Sequence, residues 1–177
     1  MNYLYHMVPQ EMQGSILLPL EELRKKYPQS YAKSMKKYKG REHQPKEKIP
    51  LFNCKWEEVL NFTTVDPKEL KRYLIESGGI PRTIKWYKIP TSMLNHEKLI
   101  VFLYRSDLLE NGMHNNLENF KKFKEQDLEK YNKIPEKTKT YFKKRYKEKK
   151  KPLLFHLIPH ILYKGELDIS KCEVITI

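Results

Sequence analysis

The stretch Pro152–Ile177, PLLFHLIPHILYKGELDISKCEVITI, decides how this chain is read. Apart from Lys164, Lys171 and three acids it is uncharged, and it follows the most basic part of the protein. Its apolar runs, Leu153–Ile158, His160–Tyr163 and Glu173–Ile177, are rich in branched and aromatic residues. Pro159, Gly165 and Asp168–Ser170 bound them. Each run is too short and too interrupted for helical periodicity, so the stretch predicts buried strands. It also places His156 and His160 at a strand junction, so core and candidate site coincide.

Working outward, Leu99–Tyr104 (LIVFLY) is the continuous apolar run expected of a central strand buried on both faces. Tyr3–Val8 (YLYHMV) reads as a strand with His6 inside it, and Thr83–Ile89 as another. Pro50–Val65 supplies one or two more, with Trp56, Val59, Leu60 and Phe62 as core. The apolar spacing of Leu20, Leu23, Tyr27, Tyr31, Met35 and Tyr38 marks one helical face. Pro28 divides it into helices near Pro19–Lys26 and Pro28–Tyr38. Asp66-Pro67-Lys68-Glu69 is a helix start, with Asp66 as cap and Glu69 completing a capping box, and Gly78-Gly79 ends that helix. Glu118–Lys151 reads as two basic helices split by Pro135, and Arg105–Asn116 as a polar loop carrying Asp107, Gly112 and His114. The expected architecture is one α+β domain, residues 1–177. A mixed, strongly twisted sheet has Leu99–Tyr104 at its centre, flanked by strands of Pro152–Ile177 and Tyr3–Val8.

At 177 residues the chain can bury a core without disulfides. Cys54 and Cys172 show no paired-ligand spacing, no run approaches the roughly 18 apolar residues of a membrane span, and the first residues lack signal-peptide regions. These features predict a reduced, cytoplasmic protein with no membrane partner. The net charge of +13 favours an anionic partner. However, 29 of the 35 basic residues are lysine, which an AT-rich genome also produces. Residues 118–151 hold 14 Lys/Arg against six Asp/Glu. They are read either as a solvated face or as a nucleic-acid surface. In the second reading Tyr141 and Tyr146 stack on bases, and Lys143, Lys144, Arg145 and Lys147 hold phosphates.

No P-loop, GxGxxG, GxSxG, HExxH or paired-cysteine zinc pattern occurs. His156 and His160 have the spacing of two ligands on one helix face, but Pro159 between them argues against a helix, and no metal is expected. What remains is His6 on the first strand and His160 at the start of a late one. Histidine can donate to ribose or phosphate while neutral, and can work as acid or base.

The opening LYHMV resembles the first-strand Tyr-His of NAD-dependent ADP-ribosyltransferases, whose histidine contacts the nicotinamide ribose. The ending PHILYKGELDISKCEVITI resembles the terminal strands of the DNA-targeting ADP-ribosyltransferase toxins, with His160 where the family has its catalytic glutamate. The resemblance implies a split sheet holding NAD in a cleft. Tyr5 and His6 would lie beside the cofactor, Arg24 or Arg41 at its phosphates, and His160 or Glu166 at the scissile ribose. It also implies a toxin or defence role, with nucleic acid or a protein as acceptor. On this reading His6 and His160 line one cleft. Two alternatives stand beside it. One is a basic nucleic-acid-binding protein or metal-independent ribonuclease, in which His6, His156 or His160 supply acid and base. The other is an interaction module whose histidines are structural.

Overall fold

The computed structural model describes residues 2–105 and 115–177. Asp107, Gly112 and His114 lie outside the described residues. The chain is α+β. Four α-helices are described: α1 (Leu20–Lys26), α2 (Pro28–Met35), α3 (Pro67–Glu76) and α4 (Glu136–Lys147). Three strands form one sheet in the order β1 (Tyr3–Met7), β6 (Lys85–Pro90), β11 (Glu173–Thr176). A second sheet of four has the order β5 (Val59–Phe62), β9 (His160–Lys164), β7 (Leu99–Phe102), β8 (Phe120–Lys122). Two small ribbons complete the set: β2 (Ile16–Leu17) with β10 (Leu167–Asp168), and β3 (Lys48–Ile49) with β4 (Cys54–Lys55).

The local signals act where their chemistry predicts. Pro28 opens α2, and its helical path continues through Tyr38 as a tighter turn. Asp66 Oδ1 accepts from the Lys68 amide at 2.8 Å, and Pro67 fills the first position of α3. Gly78, at φ +104, and Gly79 return their amides to Ile75 and Leu74 and close that helix. Glu69 turns its carboxylate to Arg72 at 3.4 Å, so it serves an ion pair and not a capping box.

Four expectations are corrected. The sheets are not mixed, because every described strand pairing is antiparallel. β7 is central and buried along its length and is flanked on one side by β9, a strand of Pro152–Ile177 as expected, but its other neighbour is β8, and β1 lies in the other sheet. Leu153–Ile158 is a run of turns, because Leu157 takes φ +56 and the backbone doubles back before Pro159. Residues 118–134 do not form an α-helix: Phe120–Lys122 is strand β8, and only Glu125–Tyr131 coils, as a tighter 3-10 helix. Phe120 pairs with Phe102 across the sheet edge, their rings 5.2 Å apart, and buried Asn119 caps the Arg105 amide through its Oδ1.

Strand alternation sorts the side chains into two faces. Leu4, Tyr87, Phe62, Leu60, Ile161, Tyr163 and Val101 share one core. On the other face Val59, Ile100, Phe102 and Leu162 pack with Trp56, while Tyr5, Met7 and Trp86 pack with Phe142 of α4 and Ile158. Among the described residues no helix is long and apolar enough to cross a membrane.

Candidate functional site

The two main sheets touch at a single bridge. Tyr5 and Thr63 exchange both backbone hydrogen bonds, at 2.8 and 3.0 Å, and the ladder goes no further. In an antiparallel pair the backbone groups of alternate residues point the same way. The peptide groups of Met7 and Asn61, next in register after Tyr5 and Thr63, therefore face the gap where β1 and β5 part. His6 sits at this split. Its Nδ1–H donates to the Met7 carbonyl at 2.6 Å, which leaves Nε2 as the acceptor, and its ring lies edge-on to Phe62 at 5.9 Å. Burial, joined by the charge of Lys37, pushes its pKa down to about 4 against the opposing hydrogen bond to Met7. The ring is neutral at pH 7.

Lys37 belongs to the turn that extends α2. Its ammonium lies 5.1 Å over the Tyr38 ring, and burial, then the neighbouring charge of Arg41, lowers its pKa. Among the described residues it has no carboxylate and no hydrogen-bond acceptor. Arg41 donates Nη1 to Gln44 Oε1 and Nη2 to the Lys37 carbonyl, both at 2.9 Å, so its partners are neutral too. Among the described residues exposed Lys37 and partly buried Arg41 thus form a pair of cations with no carboxylate partner, and the charge of Lys37 reaches the neutral His6 acceptor at the gap in the sheet. Sequence reasoning missed Lys37 because it lies in a lysine-rich segment with no motif around it.

His160 lies elsewhere. It pairs with Phe102 on the face of Val59 and Leu162, whereas His6 pairs with Tyr87 on the face of Leu4 and Phe62. The two histidines therefore occupy opposite faces of the sheets and do not line one cleft. His160 is boxed by the rings of Trp56, Phe102, Tyr104 and Phe155, at 5.5–6.3 Å. Its Nδ1–H donates to the Ile158 carbonyl at 2.7 Å, and burial lowers its pKa to about 4. Glu166 follows the far end of β9, roughly 13 Å or more along the strand. There it is paired with Lys26 at 2.5 Å. It cannot stand in for a carboxylate at position 160.

The remaining candidates divide similarly. Tyr5, one residue before His6, points to the other face and lines a hollow of about 450 Å³ with Asp66 and Glu129. Arg24 pairs with buried Glu57 at 3.8 Å. Tyr141 is not available to stack on bases, because it stacks on His156 at 3.9 Å and accepts from the Leu153 amide. Tyr146 covers Gly79 so closely that a Cβ there would meet its hydroxyl at 2.7 Å. Arg145 donates to the Lys151 carbonyl at 3.1 Å. Lys143, Lys144 and Lys147 are exposed on α4.

No protein-family model, curated protein or solved structure matches the chain. Lys37 and Arg41 supply charge for a phosphate or carboxylate, and His6 Nε2 can accept from a hydroxyl. Among the described residues no group of three His, Cys, Asp or Glu side chains is arranged to hold a metal ion.

Proposed function

We propose that this chain is a nucleotide-binding protein of ADP-ribosyltransferase-like organisation. It takes NAD at the split between β1 and β5. The observation that carries the reading is neutral His6 within reach of the charge of Lys37, which Arg41 adjoins, where the ladder stops after Tyr5–Thr63. A pyrophosphate would supply the missing counter-charge, and a ribose hydroxyl would donate to His6 Nε2. The order of parts is the one that the resemblance implies: a first-strand histidine at a split sheet, then a late apolar strand, a short turn and a closing strand.

The reading is one of binding. The groups offered for the transfer step, His160 and Glu166, lie on the other face and at the far end of β9. Calorimetric titration with NAD, ADP-ribose and nicotinamide tests the proposal on the wild type and on Lys37→Met and Arg41→Gln. NAD and ADP-ribose are expected to bind about tenfold or more weakly to each variant, since a charge-assisted hydrogen bond contributes about 1.5–3 kcal/mol. Nicotinamide alone should be indifferent to both changes. Equal NAD affinity in all three proteins, or no NAD binding at millimolar concentration, would overturn it.

A further inference from the structure

The sheet of β1, β6 and β11 has an edge that no other described strand covers. Ile84 and Ile177 exchange both backbone hydrogen bonds, at 2.9 and 3.0 Å, just past the end of the β11–β6 ladder. Hydrogen-bonded pairs recur at every second residue of an antiparallel pair, so Ile175 and Glu173 also turn their peptide groups toward β6. The N–H and C=O groups of Val174 and Thr176 therefore point outward, where β11 has no neighbouring strand among the described residues. Cys172, before them, donates its N–H to the Ile169 carbonyl at 3.0 Å.

The other edges of the two main sheets are guarded. β1 and β5 meet through Tyr5 and Thr63. β8 presents Lys121 and Lys122, both exposed, and lysines on an edge discourage a further strand because pairing would desolvate them. β11 has neither device. Glu173–Thr176 contains no lysine or proline, its register against β6 runs without a bulge, and Val174 is 50% exposed. An open ladder beside branched side chains is the feature to which a further strand adds.

The strand that fits is β11 of a second copy. With the two strands antiparallel about a two-fold axis at Ile175, each Val174 faces Thr176 of the other copy. Two such pairs, each exchanging both bonds, leave none of the outward groups open. Ile175 meets Ile175, and Glu173, whose carboxylate is held by Lys88 at 2.9 Å, faces Ile177. No like charges oppose one another in this register, despite the net charge of +13 on each chain. We infer that β11 is a self-association edge, through which two copies join their three-stranded sheets into one continuous sheet. The contact is narrow, well under the roughly 1,200 Å² of a stable interface, so the dimer is weak and exchanges with monomer. It does not depend on the nucleotide reading of the split, because it uses none of His6, Lys37 or Arg41.

The test is sedimentation velocity of the full chain from about 10 µM to about 1 mM, with amide hydrogen exchange read residue by residue. Wild type should pass reversibly from monomer to dimer across that range, and more completely as salt screens the positive charge of the two chains. The Val174 and Thr176 amides should become protected as concentration rises. Val174→Pro removes only an outward donor, since the Val174 N–H takes no part in the ladder to β6, and Thr176→Lys sets a charge inside the facing pair. Each should dimerise about tenfold or more weakly than wild type while keeping a cooperative thermal melt, and Thr176→Lys alone serves if the proline variant is not folded. A wild type that stays monomeric at about 1 mM overturns the inference, whether its edge is open or filled by a co-purified peptide. Variants that associate like wild type overturn it too, as does association that leaves the Val174 and Thr176 amides unprotected.

Discussion

Acid should unfold this protein through its buried histidines before its carboxylates are protonated. His6 and His160 are held neutral with pKa values of about 4 in the fold, against 6.5 when exposed. The unfolded chain therefore binds more protons between those values. Stability is fully present above about pH 6.5 and is lost as pH falls toward 4. Going from pH 7 to pH 4.5 costs roughly 2.5 kcal/mol for each ring, or about 4–5 kcal/mol together once the partial exposure of both is allowed for. That is a large share of the roughly 5–15 kcal/mol typical of a domain. His156, also lowered by burial, adds to the same side. Glu22, Glu125 and Asp168 have lowered pKa values as well, so their contributions are lost only below this window. Urea unfolding at steps between pH 7 and 4.5 reads the slope, which approaches about 2.7 kcal/mol per pH unit when two protons are taken up. His160→Phe, placed in its box of aromatic rings, should remove about half of it. A slope unchanged in that variant would refute the reasoning.

Replacing Asp66 with Ala should cost about 0.5–2 kcal/mol by urea unfolding, because it removes the cap on the Lys68 amide. Gly79→Ala should destabilise by about 1–3 kcal/mol, since the new methyl meets the Leu74 carbonyl and the Tyr146 hydroxyl, both at 2.7 Å. Phe142→Ala, at a fully buried position of α4, should cost about 3–5 kcal/mol and lower the melting temperature accordingly. Changing Lys143, Lys144 and Lys147 together to Gln should flatten the salt dependence of oligonucleotide binding by at most about three units of slope. An unchanged slope marks them as a solvated face.

The elements legible in the sequence are those whose signal is local. Asp66-Pro67 and Gly78-Gly79 bound α3 because capping and left-handed glycine act within a few residues. Leu99–Phe102 had to be central, since nothing else hides four consecutive apolar side chains. Phe120 and Phe123 mimic helical spacing, and only the strand partner Phe102 decides that Phe120 belongs to β8. The site depends on parity. Whether His6 and His160 share a face is fixed by the Tyr5–Thr63 bridge and by the pairing of Phe62 with Ile161. One residue of slip in either would reverse it, and no local pattern encodes that register. Lys37 was invisible for a related reason: a lysine among lysines becomes distinctive only when the fold sets it against Arg41 and within reach of His6, with no carboxylate partner among the described residues.

The central claim is that nucleotide phosphate and ribose meet His6, Lys37 and Arg41 at the split. It is tested most directly by following the imidazole nitrogens of the labelled protein while NAD is added at pH 7. The account predicts that His6 Nε2 moves as its lone pair accepts a hydrogen bond, that ADP-ribose reproduces the change, and that His160 on the other face stays still. Movement of His160 with His6 unmoved, or no movement of His6 at millimolar NAD, would contradict it.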